Sequence, residues 1–157
     1  MNNKKWLPLL LCLLATGCAQ QSTPKASPQS RPLGLTPYQT IWRAAEVAPK
    51  GFPGRFELTV KAVGMVHGYL YLNSELDYRD QRSISIEIPP KVAKQLLDNG
   101  KLSPEPLFIG KTLLVDGFAS RVRIDINPDK PGAKKLYYYQ THVLVKDRRQ
   151  IQVLASQ

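Results

Sequence analysis

The chain has 157 residues and a formal charge of +10. That length holds one ordinary domain with appendages and leaves little room for two. Hydrophobic residues make up 43%, enough for a core, so a wholly disordered chain is excluded. Two cysteines and two histidines exclude most thiol and metal chemistry, and the 13 prolines and 10 glycines imply many turns.

Lys4 and Lys5 form a basic start. Trp6 to Leu14 is an apolar run broken only by Pro8, and Ala15, Thr16 and Gly17 lead to Cys18. A charged head, a short apolar middle and small residues at the cut form the layout of a secretory signal. The run falls short of the roughly 20 residues that span a bilayer. Leu14-Ala15-Thr16-Gly17-Cys18 resembles the lipobox of bacterial lipoproteins, with Ala15 where leucine is usual. The resemblance implies cleavage before Cys18 and lipidation (palmitate among the acyl groups) of its thiol. Ala19 follows instead of the aspartate typical of inner-membrane retention, so the resemblance favours the outer membrane, facing the periplasm. A plain signal cut near Ala19 is the simpler alternative. In the lipoprotein reading Cys12 leaves with the signal, no free thiol remains, and Cys-based nucleophiles or zinc sites are excluded.

Residues 1–17 are thus a signal peptide. Residues 18–35 are rich in Gln, Ser, Thr, Pro, Lys and Arg, too polar to offset their ordering entropy, and read as a disordered tether reaching roughly 50 Å when extended. Residues 36–54 read as a short helix and turn. Thr36-Pro37-Tyr38-Gln39 combines an N-cap, a first-turn proline and a capping-box glutamine. A helix over 37–47 places Tyr38, Ile41, Trp42 and Ala45 on one side, expected to dock on the domain; a partner-binding helix is the sharper reading.

From residue 55 the chain turns to period-two alternation. Phe56, Leu58, Val60 and Ala62 share one face of a first strand. His67, Tyr69 and Tyr71 share a face of a second, and Ile84, Ile86 and Ile88 a face of a third. Pro89-Pro90 opens a helix near 91–99, with Val92, Leu96 and Leu97 apolar and Gly100 as its stop. A proline-containing loop leads to a strand over 112–118 that extends through Arg121 to Ile126, with Gly117 as a bend. After a turn at 127–133, a strand over 135–146 alternates Tyr137, Tyr139, Thr141, Val143 and Val145 with Tyr138, Gln140, His142 and Leu144. Ile151 to Leu154 reads as a last short strand.

Three strands, one helix, then two or three strands is the element order of the OB-fold, a Greek-key barrel. The chain also resembles bacterial OB-fold proteins in Tyr-Leu-Asn at 71–73, in Gly110-Lys111-Thr112-Leu113-Leu114-Val115-Asp116-Gly117 and in the closing 147–154 segment. The expectation is a mainly β domain over 55–157 with one or two short helices, as a five- to six-stranded OB-fold-like barrel.

No nucleophile elbow is present and no spacing implies a cofactor or a metal. His67 and His142 fall on polar strand faces and read as solvated. Glu75 to Arg82 packs three carboxylates and two arginines into eight residues. It reads first as a solvated loop in which Arg79 and Arg82 pair with Asp77 and Asp80. In an OB barrel strands two and three carry the ligand, beside the 4–5 loop. The candidate ligand residues are therefore Tyr69, Tyr71, Arg79, Arg82, Arg121, Arg123, Lys134 and Lys135, since rings beside cations suit polyanions. The function expected is a non-enzymatic, outer-membrane-anchored binding or adaptor lipoprotein. Its partners are the membrane, through Cys18, and an anionic envelope glycan or an acidic protein. Single-stranded nucleic acid and a cation-dependent hydrolase using the 75–82 loop are the alternatives.

Overall fold

A computed structural model describes residues 32–126, 134 and 136–154. The signal peptide, most of the tether including Cys18, the 127–133 turn and Lys135 lie outside the described residues. Among the described residues the fold is mainly β: seven strands form one mixed sheet, with three short α-helices.

Helix α1 (Pro37–Glu46) starts where the sequence places it. The Thr36 hydroxyl accepts the Gln39 backbone N–H, and the Gln39 side chain accepts the Thr36 N–H, closing a capping box. The docked face is not the expected one. Thr40 and Ala44 are fully buried, whereas Tyr38, Trp42 and Ala45 are exposed. The Thr40 hydroxyl bonds the Thr36 carbonyl at 2.8 Å, so a threonine sits in the contact without an unpaired polar atom.

Strands β1 (Phe52–Thr59) and β2 (Ala62–Val66) follow. His67 and Gly68 both have positive φ, 49° and 82°, the signature of a two-residue type I′ turn into β3 (Tyr69–Asn73). His67 is thus in a turn, not in a strand. The alternation read from His67 onward crosses the turn because its first residue keeps the same parity as Tyr69 and Tyr71. Strand β4 (Ile84–Ile88) buries Ile84, Ile86 and Ile88 completely. Helix α2 (Pro90–Leu96) buries Val92 and Ala93, and Leu97 beyond it is also buried. The segment expected to be a loop holds helix α3 (Pro104–Phe108), which starts on a proline and buries Phe108.

Strand β5 (Thr112–Ile126) is a single run of 15 residues. It is followed by β6 (Leu136–Leu144) and β7 (Ile151–Val153). The sheet order is β1-β5-β6-β4-β3-β2, with β7 also on β5. Among the described strands β4 and β6 pair in parallel and the other pairings are antiparallel. The two ends of this path are consecutive in the chain. Between them the Val60 N–H bonds the Lys111 carbonyl, and the Lys61 N–H bonds the Asn73 carbonyl at the end of β3. Gly117 is a close approach, paired with Gly54 in register. A Cβ there would lie 2.7 Å from Val143 Cγ1 and 2.9 Å from the Leu144 carbonyl oxygen, so β6 crosses where only glycine leaves room.

The core joins Phe56, Leu58, Leu70, Leu72, the three β4 isoleucines, Leu113, Val115, Val143 and Val145. Ala44 of α1, Val92 of α2 and Phe108 of α3 belong to the same cluster.

Candidate functional site

The face of β3, β4 and β6 opposite the core carries a continuous aromatic and polar strip. Tyr69 and Tyr71, two residues apart on β3, project to one side, and their rings stack with centroids 6.3 Å apart. Tyr71 lies opposite Glu87 in the β3–β4 register. Parallel pairing of β4 with β6 sets Ser85 against His142. That brings His142 Nδ1 to 2.8 Å from Glu87 Oε2 and its ring edge-on to Tyr71 at 5.9 Å.

Gln140 completes the strip. Its amide nitrogen donates to the Tyr78 carbonyl at 3.1 Å and to the Tyr138 hydroxyl at 3.0 Å. Its oxygen is thereby turned to His142 Nε2, 2.7 Å away. Both imidazole nitrogens face oxygen acceptors, and the ring is held from two sides. His142 is 8% exposed, so the expectation of a solvated histidine is corrected. The cause is the β4–β6 pairing, which joins residues 55 apart in the chain. Ser83 and Ser85 are buried as well, and the Ser85 hydroxyl donates to Asn73 Oδ1 at 2.7 Å.

Burial raises the Tyr71 phenol above its ordinary range, and the Glu87 carboxylate and Tyr69 add to the effect. A raised folded-state value keeps the proton on the folded protein while the unfolded chain ionises near pH 10. The contribution of Tyr71 to stability is therefore complete below that pH and is lost as pH rises through the folded value. We expect stability to fall more steeply above pH 10 in the native protein than in Tyr71→Phe, measured by urea unfolding across alkaline pH. Equal slopes would show that the phenol is not shielded.

The loop from Glu75 to Arg82 borders this strip. Its carboxylates meet separate cations. Glu75 pairs with Lys61 at 2.7 Å, Asp80 grips Arg82 through both oxygens, and Asp77 lies 3.9 Å from Arg79. The Arg82 side-chain hydrogen bonds pull the Asp80 carboxyl down to about 2. Arg79 also stacks over Tyr78 at 4.4 Å. Among the described residues no three His, Cys, Asp or Glu side chains gather as a metal site would require.

Arg121 and Arg123 sit elsewhere. Strands β5 and β6 remain paired from Phe118–Leu144 out to Ile126–Leu136, beyond the end of the β1 register at Ala119 and that of β4 at Thr141. On this ribbon Ser120 pairs with His142, so strand alternation puts Arg121 and Arg123 on the opposite face from Tyr71. There Arg121 stacks over Tyr139 at 3.9 Å and Arg123 over Tyr137 at 4.3 Å, an alternating ladder of cations and rings. Arg123 also bonds Asp125 at 2.7 Å. Lys134 is exposed ahead of β6. The structure thus gathers Tyr69 and Tyr71 on one face and Arg121 and Arg123 on the other, with Arg79 and Arg82 in the 75–82 loop. His142 and Gln140 are the additions that sequence reasoning missed.

An apolar hollow between the β2–β3 turn and α2 is lined by Met65, Pro90, Ala93 and Leu97, with Lys94 and Asn99 at its margin, and no reactive group converges on it. No described helix is long and apolar enough to cross a membrane. No family model, curated protein or solved structure matches the chain.

Proposed function

We propose that this protein is a non-enzymatic binding or adaptor lipoprotein, anchored in the outer membrane through lipid on Cys18 and facing the periplasm. The lipobox-like Leu14–Cys18 segment and the polar stretch after it support the anchor. An OB-type barrel is supported by the sheet order and by the continuity of β1 with β2, since strands that end the path and adjoin in the chain suit one bent strand closing a barrel. The ligand is an anionic envelope polymer or an acidic protein surface.

The observation that carries the binding reading is the Tyr69–Tyr71–His142–Glu87 strip. It offers stacking surface beside fixed polar groups, the composition of a recognition face. The same geometry speaks against hydrolysis. Neither nitrogen of His142 is open to take a proton from a nucleophile, the neighbouring Ser85 hydroxyl is engaged by Asn73, and the loop carboxylates face arginine or lysine. A second reading, single-stranded nucleic acid, is favoured by the Arg121–Tyr139 and Arg123–Tyr137 stacks, which resemble base platforms set beside phosphate-binding cations.

The test is an NMR titration of the Cys18→Ser chain at two salt concentrations. The titrants are a phosphorylated glycolipid headgroup, a peptidoglycan fragment, a short single-stranded oligonucleotide and an acidic peptide. Shifts on Tyr69, Tyr71, Arg79 and Arg82, weakened by salt, are expected with the phosphorylated glycan or the acidic peptide. Tyr71→Ala then weakens binding about tenfold, because one ring stack is worth about 1–3 kcal/mol. Selective response to the oligonucleotide moves the conclusion to the second reading, and silence toward all four removes the ligand face. Palmitate labelling that persists in Cys18→Ser would overturn the anchor.

A further inference from the structure

We propose that the outward flank of α1 rests on the lipid bilayer, as a second attachment beside the anchor; the inference builds on the proposed lipidation of Cys18. The helix is apolar over more of its circumference than the sheet covers. Thr40 and Ala44 are fully buried, and Ile41 and Val47 pack partly against the core. Tyr38 and Trp42, one turn apart, stand on the other flank with 80% and 60% of their surfaces exposed. Ala45 continues this stripe by a further turn, and Leu33, just ahead of the helix, is exposed too. Two adjacent aromatic side chains left in water on a helix that already has its packing partner mark a contact surface.

Three observations select a bilayer as the occupant. Tyrosine and tryptophan each carry one polar atom on an apolar ring, the chemistry enriched at the headgroup level of membranes. Arg43 and Lys50 are exposed nearby, and Glu46 is the one acid in the helix, a balance that suits anionic headgroups. The Arg43 guanidinium lies 4.6 Å over Phe52 of β1, about 100° around the helix from Trp42. Finally, α1 is the first helix after the anchor. Fifteen residue steps separate Cys18 from Leu33 in the sequence, a covalent reach of at most about 50 Å. The aromatic stripe is then held near the surface at high effective concentration, so a weak intrinsic affinity is enough to seat it. One lipid signal with a second, protein-borne contact is also the combination that makes peripheral attachment durable.

The chain has two tryptophans, so Trp6→Phe leaves Trp42 as the single tryptophan, excited selectively at the red edge of its absorption, whether or not the signal is cleaved. This full-length variant is expressed in lipidated form and reconstituted into phosphatidylethanolamine–phosphatidylglycerol vesicles with brominated acyl chains; a Cys18→Ser version is added to the same vesicles in excess. The mass of the Cys18 adduct is read on each sample. The expected result is a blue-shifted Trp42 emission, at least twofold quenching by brominated lipid and reduced quenching by acrylamide. Tyr38→Ser with Ala45→Glu abolishes these changes while the circular dichroism spectrum is retained. Unquenched Trp42 overturns the contact whatever the state of Cys18, and a lipidated Cys18 in that sample leaves the anchor reading intact. Quenching without lipid on Cys18 upholds the contact and sinks the anchor reading. A Trp42 shift that follows protein concentration in the absence of lipid assigns the flank to a second copy and overturns the proposal.

Discussion

Phe56→Ala is expected to lower the unfolding free energy by about 3–5 kcal/mol, the range for deleting a fully enclosed aromatic ring. Phe56 has no exposed surface, and its ring meets that of Phe52 at 5.7 Å. Its strand neighbours are fixed on both sides. It pairs with Val115 of β5, and the backbone of Leu35 bridges to it ahead of α1. The walls of the resulting cavity are thus tied down by hydrogen bonds and cannot collapse inward to recover the lost contacts. Marginal domains hold only 5–15 kcal/mol in total, so urea unfolding would move to much lower denaturant. Phe118→Ala is the comparison, because that ring is 41% exposed on β5 and its loss is expected to stay near 1 kcal/mol or below. Similar values for the two variants would mean that the core is not centred on Phe56.

His142→Ala carries the second largest expected effect, about 2–3 kcal/mol. The substitution leaves the Glu87 carboxylate without its partner and the Gln140 oxygen without a donor, and a stranded polar group costs more than the mean value of the bond it lost. The figure stays below that for a fully enclosed ion pair because a quarter of the Glu87 side chain reaches solvent and can be hydrated. Glu87→Gln should cost less, since an amide oxygen can replace one carboxylate oxygen. The combination should cost clearly less than the sum, with a coupling above 0.5 kcal/mol in a double-mutant cycle. Additive losses would show that the two side chains do not act as a pair.

Local features were legible wherever a single segment decides the outcome. The α1 start follows from Thr36, Pro37 and Gln39, and the buried face of β4 from Ile84, Ile86 and Ile88. The arginine pairing in the 75–82 loop follows from charges two residues apart. Strand β2 was hidden because Ala62–Val66 alternates weakly, contains Gly64 and has no buried residue. Its absence also concealed the turn, so His67 was assigned to a strand. Helix α3 was read as a loop because two of its five residues are prolines, although Pro104 occupies the first turn, where proline is tolerated. The docked face of α1 was misjudged because aromatic bulk outweighed Thr40 and Ala44, whose small side chains let the helix approach closely. The His142–Glu87 pair depends on a parallel register between distant strands, and the separation of Arg121 from Tyr71 depends on the parity of the β5–β6 register. Neither is encoded in any local pattern.

The pairing of β1 with β5 also orders events in time. Phe52 to Thr59 find their partners only at Ala119 to Thr112, so a ribosome must add about sixty residues before the first strand can be zipped. The β2–β3 hairpin can form early by short-range closure, while β1 waits with an open edge until β5 has been made. A chain cut before Thr112 lacks the strand that β1 requires and has no stable resting state of its own. For a lipoprotein that must leave the cytoplasm, as proposed above, such a delay is useful. The nascent N-terminal half cannot lock β1 into the sheet too soon, and native assembly completes only when the C-terminal strands have been made.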